Sequence, residues 1–196
     1  MTFQSGGSAI QTIDDLLSNH EHRAVYAFLR EGGWSYGAYS SDEPNASKYW
    51  YRHFAGFFKD GLEPRTWESI EQQLKSSAPI VWALWEKLKT SVLAGHVLTR
   101  CYANAYPVGS EGGLHADSKE PNHFTAIYYP HLNWNPNWAG ETVFFNAAGT
   151  DIVAAAYPRP NRLVVFPGSI PHVARAVSRT CPELRVTLMF KTAAIL

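Results

Sequence analysis

Two histidines and one aspartate have the residue types and the spacing of a metal site. His115 and Asp117 are separated by one residue, and His172 follows 55 residues after Asp117. Side chains two positions apart on an extended segment point to the same side of the chain. Two neutral imidazoles and one carboxylate on one face of a metal form the ligand set that holds Fe(II) with open coordination positions. The spacing therefore predicts a metal site whose third ligand comes from a neighbouring strand.

The half of the chain that carries these residues has a residue pattern typical of β proteins. From His96 onwards, short β-rich runs alternate with turn residues such as Pro167-Gly168. The predicted strands cover residues 97–106, 113–117, 123–130, 141–146, 151–156, 162–166, 171–177 and 184–191. Eight short strands at this spacing are typical of a jelly roll or a barrel.

Helices are predicted to come before the strands. Ser18 or Asn19 can cap a helix that runs to about Arg30. A second helix is predicted over about 66–75, and a third from Pro79 to Gly95. We expect these helices to pack on one outer face of the sheet. The predicted fold class is mainly β with N-terminal helices (α+β).

Residues 33–65 lack periodicity and are rich in aromatic side chains. A loop of this length in a compact domain is usually functional or disordered, and the aromatic content argues against disorder. We therefore consider the segment a candidate substrate lid, with Tyr51, Arg52 and His53 as contacts. The alternative is that it simply packs over the sheet.

Length and composition predict one globular domain over residues 1–196. The helical support and the lid candidate would lie in 1–95, and the jelly-roll core with the candidate metal site in 96–196. Lys plus Arg and Asp plus Glu number 17 each, which disfavours nucleic acid and anionic membranes as partners. No apolar run is long enough to span a bilayer, and the first residues lack a signal-peptide pattern. Two cysteines suggest reduced thiols, so a cytoplasmic location is expected. The oligomeric state stays open.

Six motifs follow one another in the second half of the chain. In order they are Tyr106-Pro107-Val108-Gly109 with His115-Ala116-Asp117, Ala126-Ile127-Tyr128-Tyr129, Trp138-Ala139-Gly140-Glu141-Thr142-Val143-Phe144-Phe145, Asn161-Arg162-Leu163-Val164-Val165-Phe166-Pro167, His172, and Arg185-Val186-Thr187-Leu188-Met189-Phe190. In these motifs and their order, residues 97–192 resemble the Fe(II)- and 2-oxoglutarate-dependent oxygenases, most closely the prolyl 4-hydroxylase-like group. The resemblance implies a double-stranded β-helix, or jelly-roll, core.

The resemblance also implies the metal ligands and the cofactors. His115, Asp117 and His172 match the iron ligands of the family, and the cofactors would be Fe(II), 2-oxoglutarate and O2, with ascorbate as a reductant. Related halogenases carry Gly or Ala at the position of Asp117. The carboxylate therefore favours hydroxylation or another oxidation over halogenation.

A basic residue on the last core strand holds the distal carboxylate of 2-oxoglutarate in the family. Arg185 lies thirteen residues after His172 at the head of the matching strand, so the resemblance assigns it this role. Arg175 and Arg179 are weaker rivals. Alternation places Thr187 on the same strand face as Arg185, where its hydroxyl could assist.

Two tyrosines complete the predicted 2-oxoglutarate site. Tyr129 matches the family tyrosine that shares the distal carboxylate, and Tyr106 matches one near the iron-chelating end. Tyr128 should point to the opposite side of the sheet.

The implied reaction couples decarboxylation of 2-oxoglutarate, to succinate and CO2, with hydroxylation of an unactivated C–H bond. The substrate could be a peptidyl residue, an amino acid or a small metabolite. A metal-binding or ligand-binding jelly roll without turnover is the alternative, because one fold hosts unrelated functions. A hydrolytic zinc site fits the ligand types, but it lacks an evident general base.

Overall fold

The computed structural model describes residues 9–40, 46–56 and 66–195. Its helices are α1 (Asn19–Arg30), α2 (Trp67–Ser77) and α3 (Pro79–Lys89). Helix α1 begins with a capping box, in which the side chains of Ser18 and Glu21 each accept a hydrogen bond from the other residue's backbone N–H. The predicted helices are therefore present, and Ser18 is the cap. Helix α3 ends at Lys89 rather than near Gly95, because the chain between them folds into turns.

The strands of the described residues form two antiparallel sheets. They are β1 (Gln11–Ile13), β2 (Ser35–Ala38), β3 (Tyr49–Gly56), β4 (His96–Tyr106), β5 (His123–Tyr129), β6 (Thr142–Phe145), β7 (Ile152–Ala156), β8 (Arg162–Pro167), β9 (His172–Ala174) and β10 (Arg185–Ala194). The major sheet has the order β1-β8-β5-β10-β4-β3-β2, and the minor sheet has the order β7-β6-β9. This mainly β arrangement with few helices is the predicted jelly roll.

The two faces of the major sheet pack against different parts of the molecule. Leu98, Tyr128 and Phe190 on one face are buried with α-helical residues such as Trp85. The opposite face looks towards the minor sheet, where Tyr129 packs near residues of β6 and β8. Tyr128 and Tyr129 thus point to opposite sides, as alternation predicted. The helices cover one outer face of the sheet, which leaves the other face for the site.

The prediction of a loop over residues 33–65 is wrong where the structure describes it, because β2 and β3 lie in this segment. β3 extends the major sheet by pairing with β4, with Tyr51 opposite Asn104. The segment has aromatic residues on both faces of β3, so it shows no hydrophobic alternation in the sequence. Parts of the candidate lid, residues 41–45 and 57–65, lie outside the described residues.

Residues 113–117 do not form the predicted strand. His115 and His172 make an isolated antiparallel bridge, with N–O distances of 3.1 and 2.9 Å. The backbone N–H groups of Asp117 and Ser118 then both donate to the carbonyl of Gly168, which turns the chain away from the sheet. The bridge nevertheless brings the two histidines side by side.

No helix among the described residues is both long enough and apolar enough to cross a membrane.

Candidate active site

The structure brings the three predicted metal ligands together between the sheets. One ligand atom from each of His115, Asp117 and His172 lies within 4.8 Å of the others. The two Nε2 atoms lie 3.5 and 3.4 Å from the oxygens of Asp117. The bridge between His115 and His172 fixes the histidine backbones, and the turn after His115 brings in the carboxylate.

Both imidazoles are oriented as metal ligands. The Nδ1 of His115 lies 2.8 Å from the carbonyl oxygen of Gly113, and the Nδ1 of His172 lies 2.9 Å from that of Ile170. A carbonyl only accepts, so each Nδ1 carries the proton and each Nε2 offers a lone pair. Burial lowers the pKa of His172 to about 4, against the opposing effect of Asp117. His172 is therefore neutral near pH 7, which is the state that binds metal.

Asp117 is held as an anion by a second layer of side chains. Burial would raise its pKa, but the Lys191 ammonium and the two histidines keep that pKa well below its usual range. Lys191 forms an ion pair with Oδ2, and the Thr125 hydroxyl donates to the same oxygen at 2.6 Å. Oδ1 is thus the oxygen that these two donors leave for a metal. Two neutral nitrogens and one anionic oxygen fit Fe(II).

Arg185 forms a second functional end of the same cavity. Its side chain is 1% exposed, and it donates to the carbonyl of Gly140 and, at 2.8 Å, to the hydroxyl of Thr142. The Tyr129 phenol lies 2.7 Å from the same hydroxyl. Among the described residues, no carboxylate forms an ion pair with this guanidinium. A buried cation without an anionic partner is costly, so the arrangement favours binding of an anion.

The two ends belong to one cavity of about 980 Å³. Its wall includes His115, Asp117, His172, Arg185 and Thr187, so metal ligands and cation face the same space. The rival arginines are elsewhere. Arg175 is exposed and 3.9 Å from Glu111, Arg179 is also exposed, and neither is among the described residues that line the cavity.

Tyr106 lies at the Arg185 end, rather than near the metal ligands as predicted. It pairs directly with Arg185 across β4 and β10, and the guanidinium lies 5.7 Å from its ring centroid. The ring of Tyr129 is 5.8 Å from the same guanidinium. The register of the two strands decides this position, because it sets Tyr106 opposite the head of β10.

Of the three substrate candidates, the structure brings only Tyr51 to the cavity wall. Arg52 points to the other face of β3, where it donates to the carbonyl of Phe28 at 2.8 Å and stacks 4.2 Å from the Phe28 ring. Its predicted substrate contact is therefore wrong, because alternation along β3 turns it towards α1. His53 pairs with Tyr102 in the strand register but does not line the cavity.

Three further cavity residues were missed by the sequence reasoning. Lys191 and Thr125 hold Asp117, and Thr142 bridges Arg185 and Tyr129. Lys191 shares a strand face with Arg185, and Thr125 shares one with Tyr129, so alternation could have pointed to both. Thr142 lies within a motif that was recognised but given no chemistry.

Comparison with known protein families gives one match to the β-rich half of the chain. Residues 101–190 match the sequence model of a family described as the 2OG-Fe(II) oxygenase superfamily. This segment is therefore similar to the 2OG-Fe(II) oxygenase superfamily, as the motifs predicted. The predicted cofactors Fe(II), 2-oxoglutarate and O2 are those that this family uses. A search of curated protein sequences gives no match.

Solved structures share the fold at low sequence identity. A prolyl-4-hydroxylase from Pseudomonas putida is 17% identical, with a TM-score of 0.62, over 95% of this chain and 93% of that chain. A prolyl hydroxylase from Trichoplax adhaerens, in complex with a hypoxia inducible factor peptide fragment, is 16% identical, with a TM-score of 0.60, over 95% and 84%. HygX from Streptomyces hygroscopicus, with nickel and 2-oxoglutarate bound, is 10% identical, with a TM-score of 0.62, over 96% and 84%. At these identities, the similarity establishes the fold.

Proposed function

We propose that this protein is a Fe(II)- and 2-oxoglutarate-dependent dioxygenase that hydroxylates or otherwise oxidises an unactivated C–H bond. The observation that carries the proposal is the presence of two ends in one cavity. His115, Asp117 and His172 converge at one position, and the buried Arg185 faces the same space without a carboxylate partner among the described residues. A module that only binds metal has no need for this second end.

The donor set assigns a task to each residue. His115, Asp117 and His172 would hold Fe(II), with Thr125 and Lys191 orienting the carboxylate from behind. Arg185 would bind the distal carboxylate of 2-oxoglutarate through its planar guanidinium, with the Thr142 and Tyr129 hydroxyls beside it. The bound iron and cosubstrate supply the oxidising power, with succinate and CO2 as by-products.

The walls of the cavity position the substrate and exclude water. Tyr49, Tyr51 and Tyr102 line it from β3 and β4, and Tyr36 and Tyr39 lie at its exposed rim. Several aromatic side chains around a reaction centre limit the access of water to reactive species. The substrate class that fits this description is a peptidyl residue, an amino acid or a small metabolite. The Trichoplax relative with a bound peptide is consistent with the first of these.

Metal binding and turnover of three variants test the proposal. Purified under argon, the protein should bind about one Fe(II) per chain, because three protein ligands complete a facial triad. His115→Ala, Asp117→Ala and His172→Ala should each abolish succinate formation from 2-oxoglutarate. The measurements are anaerobic iron titration and succinate quantification, with a panel of peptides, amino acids and metabolites present.

His20→Ala provides a matched histidine control, because His20 is exposed and does not line the cavity. Its iron binding and turnover should equal those of the unmodified protein. Full activity in any of the three cavity variants contradicts the proposal. Iron binding without succinate from the unmodified protein would instead favour the non-catalytic binding module.

A further inference from the structure

The cavity has a second cationic end in addition to Arg185. Lys191 lies on the same face of β10, six residues beyond Arg185, so their Cα atoms are about 20 Å apart at the usual strand rise. Arg100 of β4 is the direct cross-strand partner of Lys191. Arg100 also lines the cavity, and its guanidinium stacks 4.3 Å from the ring centroid of Tyr102. We define Arg100 and Lys191 as the β10-end cations.

This pairing is electrostatically unfavourable by itself. Like charges directly opposite each other on neighbouring strands destabilise a sheet, and Lys191 is largely buried. Lys191 forms an ion pair with Asp117, which is the one carboxylate among the described residues that line the cavity. That carboxylate is also the anionic ligand of the candidate metal site. Binding of Fe(II) would therefore reduce the negative charge that Asp117 offers to Lys191.

The net charge of the cavity with Fe(II) and 2-oxoglutarate bound also favours an additional anion. Among its described wall residues, Arg100, Arg185 and the Lys191 ammonium that is paired with Asp117 are cations, and Asp117 is the one anion. Fe(II) and the 2-oxoglutarate dianion cancel each other's charge. The wall residues therefore keep a net positive charge that a substrate can neutralise. The net charge is still positive when only Arg185, Lys191 and Asp117 are counted. A buried site with a net charge favours a ligand of the opposite sign.

We infer that the β10-end cations bind a carboxylate of the substrate, on the side of the metal position away from Arg185. This inference rests on the proposed function and narrows its substrate class to molecules with an acidic group. An ammonium has three N–H donors. The Lys191 ammonium uses two of its donors for Asp117 and, at 3.0 Å, for the hydroxyl of Thr125. The remaining donor and the Arg100 guanidinium bind the carboxylate, so the substrate is held beside the metal position.

Paired probes test the inference by equilibrium binding, without turnover. The Fe(II) protein is saturated with 2-oxoglutarate under argon and titrated calorimetrically with N-acetyl amino acids and with their primary carboxamides. N-acetylated tripeptide amides with a central Glu or a central Gln form the second arm. The acidic member of at least one pair should bind about tenfold or more tightly than its neutral partner. Preference in the first arm identifies a terminal carboxylate, and preference in the second identifies an acidic side chain.

Variants assign the preference to the β10-end cations. Arg100→Gln should reduce it at least severalfold, and Arg100→Lys should retain most of it, because the charge is kept. Lys191→Gln should also reduce it, and iron affinity is measured in parallel because Lys191 contacts Asp117. Lys87→Gln is the matched control, since Lys87 is on the helix surface and pairs with Glu21. Its preference should be unchanged.

Two results would overturn the inference. One is that no acid binds more tightly than its neutral partner, and the other is that the preference survives both Arg100→Gln and Lys191→Gln. Uncoupled succinate formation by the unmodified enzyme is followed in air as a separate measurement. Its absence would mean that the proposed function fails, whereas its presence with no preference for acids would mean that only the inference fails.

Discussion

Arg185 is a cation that the protein buries before any ligand is bound. Its side chain contacts the carbonyl of Gly140, the hydroxyl of Thr142 and the faces of Tyr106 and Tyr129. These neutral groups orient the guanidinium but do not neutralise it. An incoming carboxylate can therefore form a charge-assisted hydrogen bond in a site of low polarity, where such bonds are strong.

Replacing Arg185 tests this at the level of one residue. Arg185→Ala should raise the apparent requirement for 2-oxoglutarate by at least an order of magnitude and leave iron binding nearly intact. Loss of the cation leaves a buried carboxylate unpaired, which costs about 2–5 kcal/mol. The measurement is the 2-oxoglutarate concentration dependence of succinate formation, with anaerobic iron titration beside it.

Arg185→Lys should restore only part of the affinity, because an ammonium lacks the planar fork of the guanidinium. Arg179→Ala is the matched control, since Arg179 is exposed and outside the cavity wall. An increased 2-oxoglutarate requirement in Arg179→Ala but not in Arg185→Ala would show that the cosubstrate is anchored elsewhere.

At the scale of elements, Asn161 ties the N-terminal segment to the start of β8. Its buried side chain accepts from the backbone N–H of Leu17 at 3.0 Å and from the Tyr128 phenol at 2.9 Å, and it donates to the carbonyl of Leu17 at 2.8 Å. Its φ of 59° is in the left-handed region, which asparagine tolerates better than most residues. The entry to α1 is thereby fixed against the β core.

Asn161→Ala should lower the free energy of unfolding by about 3 kcal/mol or more, because it removes three buried hydrogen bonds and strains the backbone. The loss of unfolding free energy in Asn161→Gly should be about 1 kcal/mol smaller than in Asn161→Ala. Glycine also lacks the three hydrogen bonds, but it adopts a positive φ without strain. Urea unfolding of the three proteins measures both differences. Equal stability of Asn161→Ala and the unmodified protein would refute this role for the side chain.

β3 presents its two faces to different surroundings, and neighbouring residues can be compared. Tyr51 lines the cavity, whereas Arg52 packs against Phe28 of α1. With a substrate found in the panel, Tyr51→Ala should lower the ratio of oxidised product to succinate, because it acts on substrate positioning. Uncoupled succinate formation should continue.

Arg52→Ala is the adjacent control for Tyr51→Ala. It should lower the melting temperature through lost packing and leave the product-to-succinate ratio of the folded protein unchanged. His53→Ala should resemble Arg52→Ala, because His53 does not line the cavity. An unaltered ratio in Tyr51→Ala would exclude a substrate role for this strand.

At the scale of the whole molecule, strands from both halves of the chain share the major sheet. β1 pairs with β8, and β3 pairs with β4. We therefore propose that the chain unfolds as one domain, although residues 1–95 and 96–196 differ in their residue patterns. Chemical unfolding followed by fluorescence and by circular dichroism should then give one coincident transition.

His131 makes the stability of the whole molecule depend on pH. It is 3% exposed and accepts a hydrogen bond from the backbone N–H of Val186 at 3.0 Å. Burial, followed by the charge of Arg185, lowers the pKa of His131 to about 3. Its ordinary value is 6.5, so the unfolded chain takes up a proton at this residue before the folded chain does.

The contribution of neutral His131 to the free energy of unfolding should therefore be fully present above pH 6.5. It should decrease as the pH falls towards 3. The contribution of His131 is up to about 1.4 kcal/mol per pH unit. His131→Gln removes this titration, so its free energy of unfolding should depend less steeply on pH between 6 and 4. Urea unfolding at several pH values measures the two slopes, and equal slopes would contradict the assignment.

The sequence by itself determined the features that depend on covalent spacing. Arg185 and Thr187 lie two residues apart on one strand, so their shared orientation follows from local geometry. The helix cap, predicted at Ser18 or Asn19 and found at Ser18, and the opposite faces of Tyr128 and Tyr129 are local in the same way. These expectations agree with the structure because they need no knowledge of distant partners.

Only the tertiary structure decided which distant residues meet. The register of β4 against β10 sets Tyr106 opposite Arg185 and Arg100 opposite Lys191. The pairing of β3 with β4 sends Tyr51 to the cavity and Arg52 to α1. Strand register depends on packing across the whole sheet, because a slip of one residue reverses every side chain. No short stretch of sequence contains that information.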